Sequence, residues 1–313
     1  MVSDLTLPKA ASEERRIRFS LAARERWFAY ALLAPTLVLL AILILFPVVS
    51  AVYISLTKTE FINPTPIFVG LDNYRSVLAS PVFVQILANS LIWTVGVVVF
   101  QFVAGMATAL LLNQPFAGRG LLRALVIVPW VMPGIIGGIL WKLMYDPYLG
   151  LVNAFLMKIH VTDRNIAWLA QPDTVMVAII FAAIWKGAPF STLMYLAALQ
   201  NVSSDLVEAA HLDGATWWQR LRSVVLPEMA PTIRTTILLT TVWTFNYFDL
   251  IYITTRGGPG NSSHIFPTWI YEQAFVKVQQ GLAATYGIIS VVILLIFSTL
   301  YLRELNRAEV FEA

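Results

Sequence analysis

The sequence predicts an all-α polytopic membrane protein with six transmembrane helices. Of its 313 residues, 58% are hydrophobic and only 12% are charged, where a soluble domain carries roughly 25% charged residues. Mean hydropathy is +0.73. Six apolar runs come close to or exceed the roughly 20 residues that a helix needs to cross a bilayer. The basic residues also fall unevenly on the two sides that these runs define.

The first run, 28–57, carries no charge. It is too long for a signal peptide and no small-residue cleavage pattern follows it, so it reads as a retained span. The second is 89–113. The third, 124–141, contains Pro129, Pro133 and the Gly137-Gly138 pair, which predict a bent, closely packed helix. The fourth, 174–200, holds a single charge, Lys186, beside Gly187 and Pro189, where a break or kink is expected. The fifth, 235–255, holds Asp249, and the sixth, 281–302, is uncharged.

Six spans place both termini on one side. That side collects thirteen Lys and Arg residues, from Lys9 and the Arg15/Arg16/Arg18/Arg24/Arg26 cluster to Arg307, against seven on the other. The positive-inside rule makes it cytoplasmic. The organisation expected is a cytoplasmic tail at 1–27, which can form an interfacial helix, a transmembrane domain at 28–302, and a short cytoplasmic tail at 303–313. Trp27, Tyr30, Tyr145, Tyr148 and Tyr301, near the span ends, suit an aromatic belt.

Several chemistries are excluded. There is no cysteine, so no disulfide or thiol chemistry. The three histidines, His160, His211 and His264, are isolated, so a metal site is not expected. No Gly-Lys dipeptide occurs, and with it no Walker A loop for ATP. No basic tract of nucleic-acid type is present. An intramembrane enzyme lacks both a zinc motif and a nucleophile with a base. An ion-coupled secondary transporter remains the alternative to an ATP-driven one. No internal repeat supports it, and Lys186 and Asp249 are its only midplane ionisable candidates.

The most informative stretch is the polar loop 201–230, far longer than a simple connection needs. Ser203-Ser204-Asp205 can cap a helix running through His211, and Gly214 can break it. Thr216 and Gln219 have capping-box spacing for a second helix that ends before Pro227. Leu206, Ala209 and Ala210 give the first helix a small apolar face, and Glu208 offers a charge to a basic partner.

Glu208-Ala209-Ala210, Asp213-Gly214-Ala215 and Leu226-Pro227 together resemble the coupling-loop signature of ABC importer permeases. Gly70-Leu71-Asp72-Asn73-Tyr74, Gly150-Leu151-Val152-Asn153 and Gly257-Gly258-Pro259 resemble the sugar-importing, MalF-type branch, and the actinobacterial trehalose importers within it. The resemblance implies the type I importer permease fold. It implies a bacterial plasma-membrane subunit that is itself non-catalytic and binds no cofactor. The implied partners are a second homologous permease, two ATP-binding cassette subunits carrying ATP and Mg, an extracytoplasmic sugar-binding protein, and membrane lipid.

Sugars are held by hydrogen bonds to hydroxyls and by aromatic stacking. The fifth run offers Trp243, Asn246, Tyr247 and Asp249 at helical spacing on neighbouring faces. Lys186 is a further pathway candidate, and Asn89 a weaker one together with Trp93 and Gln101. Each has a structural alternative: helix–helix glue for Asn246 and Asp249, pairing with Asp249 or snorkelling for Lys186. The Gly257-Gly258-Pro259-Gly260 run reads first as turn chemistry, and 265–278 as an amphipathic segment on the outer surface.

Overall fold

A computed structural model describes residues 27–58 and 65–312, with side chains to Leu305. The expectation of an interfacial helix in the N-terminal tail therefore lies outside the described residues. The chain divides into two units, Met1–Tyr53 and Ile54–Ala313. Helix α1 (Trp27–Ser55), which ends two residues past the first unit, has the length and composition of a span and contains a π-helical segment at Ala41–Leu45.

The second unit is almost entirely helical. A two-stranded antiparallel ribbon, β1 (Thr57–Lys58) and β2 (Ile67–Phe68), leads into α2 (Asp72–Leu78). Helix α3 (Pro81–Asn113) follows, opened by Ser80, whose hydroxyl accepts from the Val82 amide, with Pro81 at the first helical position. Then come α4 (Arg119–Val131), α5 (Gly134–Met144), α6 (Leu151–Lys158) and α7 (Pro172–Asn201). Beyond them lie α8 (Ser204–Leu212), α9 (Trp217–Arg220), α10 (Leu226–Phe245), α11 (Asp249–Thr255), α12 (Phe266–Tyr271) and α13 (Gln280–Glu312).

The unit is organised around α3 and α7, two long uninterrupted helices packed against each other. Small residues permit the close approach. A Cβ on Gly105 would lie 2.7 Å from the Ser191 Cβ, and one on Gly187 would run into the Gln101 carboxamide. Gln101 also donates from Nε2 to the Ser191 hydroxyl at 3.0 Å. Helix α7 passes Gly187 and Pro189 without interruption, contrary to the expected break. The Gln101 contact gives Gly187 a packing role.

Two other expected spans are interrupted instead. The third is the pair α4 and α5, which meet at 97°. Pro133 forces Met132 into extended backbone (ψ 132°), and the helix stops there. The expected fifth span is α10 and α11, separated at 246–248. Trp243, Asn246 and Asp249 therefore do not share one continuous helix. The second halves, α5 and α11, pack on each other, with Gly138 against Ile253. Among the described residues four helices are long and apolar enough to cross a membrane, and the bent α4–α5 pair makes a fifth.

Candidate functional site

The loop that carries the signature is a compact two-helix element. Ser203 stands at the N-cap of α8, although its side chain makes no capping bond. At the other end α8 closes in a Schellman turn. Gly214, at φ +80°, donates to the His211 carbonyl, and Ala215 donates back to the Ala210 carbonyl, both at 3.0 Å. This backbone shape favours glycine at 214. It also sets Ala210 and Ala215 at the two ends of one hydrogen bond. The alanines and glycine of the signature are thus first a turn. Thr216 and Gln219 form the expected capping box. Arg220 locks the two helices together, donating to the Ala215 carbonyl at 2.9 Å and to His211 Nδ1 at 2.8 Å. Glu208, Ala209 and Asp213 are left exposed. So are Leu212, Trp217 and Trp218, an unusual density of large apolar groups for a turn.

The second helix does not end before Pro227. From α9 the chain continues through a π-helical segment, Leu221–Val225, directly into α10, with Leu226 donating to the Leu221 carbonyl. The wide π turn accommodates Pro227, which has no N–H and whose ring would crowd a regular α turn. Helical backbone therefore runs unbroken over 217–245, roughly 40 Å at 1.5 Å per residue. Its base is fixed by Leu221 and Met229, both buried, Met229 against Met106, Tyr195 and Leu199.

At its far end this run borders a cavity of about 150 Å³. Val97 and Lys186, near the midpoints of α3 and α7, line it too, so it sits halfway along both uninterrupted helices. Its walls are aromatic. Trp130, Phe190 and Trp243 form a chain of rings with centroids 5.7 and 5.0 Å apart, and Trp93 faces Tyr247 at 6.0 Å. Polar edges come from Gln101, Thr240 and Thr244. Aromatic faces with a few hydroxyl and amide groups form a surface suited to a hydroxylated, uncharged ligand.

Of the sequence candidates, Trp243, Tyr247, Lys186 and the weaker Trp93 and Gln101 line this cavity; Asn246, Asp249 and Asn89 do not. Asn246 caps α10: its side-chain amide donates to the Val242 carbonyl at 3.0 Å, because the chain turns away there. Asp249 is exposed at the start of α11, beside Gly134 at the start of α5. Asn89 donates to the Asn261 and His264 carbonyls at 2.9 and 3.0 Å, pinning the 257–264 loop to α3. Lys186 does not ion-pair with Asp249. Its ammonium sits on the Pro129 and Met132 carbonyls at the α4–α5 break.

Trp130, Phe190, Thr240 and Thr244 escape sequence reasoning. The threonines carry a signal, since Thr236, Thr240 and Thr244 repeat every fourth residue as a polar stripe in an apolar run. The two aromatics carry none, being single rings in spans rich in rings.

The remaining motifs stitch loops. Asn73 donates to the Ser55 and Thr57 carbonyls, both at 2.8 Å. Asn153 donates to the Pro147 and Ile166 carbonyls and accepts from the Trp168 indole. Gly257, at φ +82°, lies where a side chain would strike the His264 ring. No groups of three or more potential metal ligands occur among the described residues.

Comparison with known proteins agrees with this geometry. Residues 101–306 match the family described as binding-protein-dependent transport system inner membrane component. The chain is 33% identical over 290 residues to the trehalose/maltose transport system permease protein MalF of Thermococcus litoralis, covering 93% of this chain and 97% of that one. It is 32% identical over 286 residues to a probable ABC transporter permease protein of Brucella suis biovar 1, covering 91% and 99%. A solved bacterial alginate ABC transporter, in complex with its alginate pentasaccharide-bound periplasmic protein, contains a chain of the same fold. It superposes with a TM-score of 0.78 at 24% identity, covering 91% of this chain and 96% of that one. The chain belongs to the family of binding-protein-dependent transport system inner membrane components: it is a multi-pass ABC-importer permease of the MalF type, a non-catalytic membrane subunit whose ATPase is a separate protein.

Proposed function

We propose that this permease forms half of the translocation pathway of a sugar importer, with a disaccharide such as trehalose as its cargo. In this reading α8 and α9 face the cytoplasm and seat in a cleft of one of two ATP-binding cassette subunits, which carry ATP and Mg. A second, homologous permease completes the pathway, and an extracytoplasmic binding protein delivers the sugar. The chain crosses the membrane six times, the α10–α11 pair counting as one broken span, with both termini cytoplasmic.

One observation carries the reading: the unbroken helical run over 217–245. It begins at the signature turn and ends at Trp243 and Thr244, on the cavity wall. A displacement of the turn by a closing ATPase pair is delivered along a single rigid element to the place where cargo would sit. Glu208, Asp213 and the exposed Leu212 and Trp217 supply the docking face. Ala209, Ala210, Gly214 and Ala215 shape the turn, and Leu226-Pro227 joins it to the span. Trp243 and Tyr247 supply stacking surfaces, and Gln101 and Thr244 supply hydrogen bonds. The kinship with a trehalose/maltose permease supports a neutral disaccharide, as does a lining without a carboxylate.

The test is reconstitution with the partner permease, the ATPase and the binding protein, with sugar-stimulated ATP hydrolysis and uptake as readouts. Trehalose should stimulate both. Uptake that persists without the ATPase would defeat the importer reading. Stimulation by another sugar and not by trehalose would replace only the cargo. Glu208→Lys should abolish coupling while the spans still insert.

A further inference from the structure

Two helices end in the middle of this protein, and each ending creates a hydrogen-bonding problem. The last carbonyls of a helix have no intrahelical donor, and at membrane depth a donor comes only from neighbouring protein or from a water-filled cavity, never from lipid. At the end of α4 the deficit has a definite origin. The residue four positions after Pro129 is Pro133, which has no N–H to give to the Pro129 carbonyl. The Met132 carbonyl is released in the same turn, because Met132 is extended. Lys186, from the uninterrupted helix α7, donates to both. At the end of α10 the Thr244 carbonyl already accepts from the Tyr247 amide at 3.1 Å, and Trp93 from helix α3 adds a tertiary donor, its indole N–H at 2.8 Å. Trp93 is fully buried. Lys186 and Trp93 both line the central cavity, on which both breaks border.

We propose that Lys186 and Trp93 are positioning residues for transport. Each donates from an uninterrupted helix to the carbonyl end of an interrupted one, and together they fix the two breaks that bound the cavity. The packed second halves α5 and α11 then move against α3 and α7 only when these donor contacts yield. An ammonium on the negative end of α4 is also favoured by the helix dipole. Lys186 thus acts on cargo through the α4–α5 break rather than as a direct ligand. The transport arm of the test rests on the importer reading; the exchange arm does not.

Amide hydrogen exchange on the purified complex separates the contacts. Lys186→Met should speed exchange within 128–137 at least tenfold and leave 240–250 unchanged. Trp93→Phe, which keeps the ring and removes the N–H, should do the reverse. Lys186→Arg retains a donor and should restore both exchange and transport. In proteoliposomes Lys186→Met should lower the sugar imported per ATP hydrolysed severalfold at normal complex yield. A merely structural lysine would lower yield and leave that ratio alone. Unchanged exchange at 128–137, acceleration spread evenly over α3 and α7, or failure of arginine to restore the ratio would each overturn the proposal. If the exchange pattern holds but no sugar moves, the importer reading fails and the capping assignment stands.

Discussion

Gly214 offers the cleanest perturbation of the signature turn and of the lever role proposed for it. It sits at φ +80°, and an added Cβ would meet no heavy atom within 4 Å. Gly214→Ala therefore causes no clash, and its whole effect is the cost of holding an L-residue in the left-handed region, roughly 1–2 kcal/mol. Two backbone bonds define the turn, Gly214 N–H to His211 and Ala215 N–H to Ala210, and Arg220 braces it from α9. A cost of that size shifts its opening equilibrium roughly 5- to 30-fold. Gly214→Asn should cost less, because asparagine tolerates this conformation. Gly214→Pro should cost most, since it fixes φ near −65° and removes the bond to His211. Amide exchange at 213–216 reads the turn directly, and sugar uptake per ATP in the reconstituted complex reads its consequence. Both should rank glycine, asparagine, alanine, proline. If alanine exchanges and transports like glycine, or asparagine does worse than alanine, the turn conformation is not what the signature glycine provides.

Three further outcomes follow from the same geometry. Arg220→Met removes the bonds to His211 and Ala215. It should loosen α8 from α9 and lower ATP-coupled uptake several-fold while leaving assembly of the spans intact by size-exclusion chromatography. His264 is buried in the 257–264 loop, its pKa pushed down to about 4 by burial and by Lys277, so the folded protein holds it neutral. An unfolded histidine protonates near 6.5, so the unfolded state binds more protons between these values and stability falls as pH drops from about 6.5 towards 4. The loss is on the order of 3 kcal/mol, and a thermal-unfolding series against pH should flatten in His264→Gln. Gly105→Ala forces a Cβ against Ser191 and should destabilise the α3–α7 pair by about 1–3 kcal/mol, read as a lowered Tm in detergent. Ser191→Gly should relieve it only in part, because the backbone of Ser191 and Thr192 also lies within 3.2 Å.

Much of this protein is legible from its chain alone. Length and apolar composition of the runs determine spans, because a bilayer leaves a backbone few choices. The signature turn is equally legible: Gly214 and the Thr216/Gln219 pair act through neighbours within a few residues, and local chemistry is what a sequence displays. The breaks divide on the same principle. Pro133 announces the one between α4 and α5, whereas nothing near Asn246 announces the one between α10 and α11. Asn246, Asp249 and Asn89 look like pathway groups in sequence because they are polar in apolar surroundings. The structure assigns two of them to other work: Asn246 caps α10 because the chain turns away there, and Asn89 pins a loop whose carbonyls lie more than 170 residues away in the chain. Lys186 and Trp93 make the same point. Their partners lie 54 and 151 residues away in the chain, a separation at which no local pattern can pair them and only packing can.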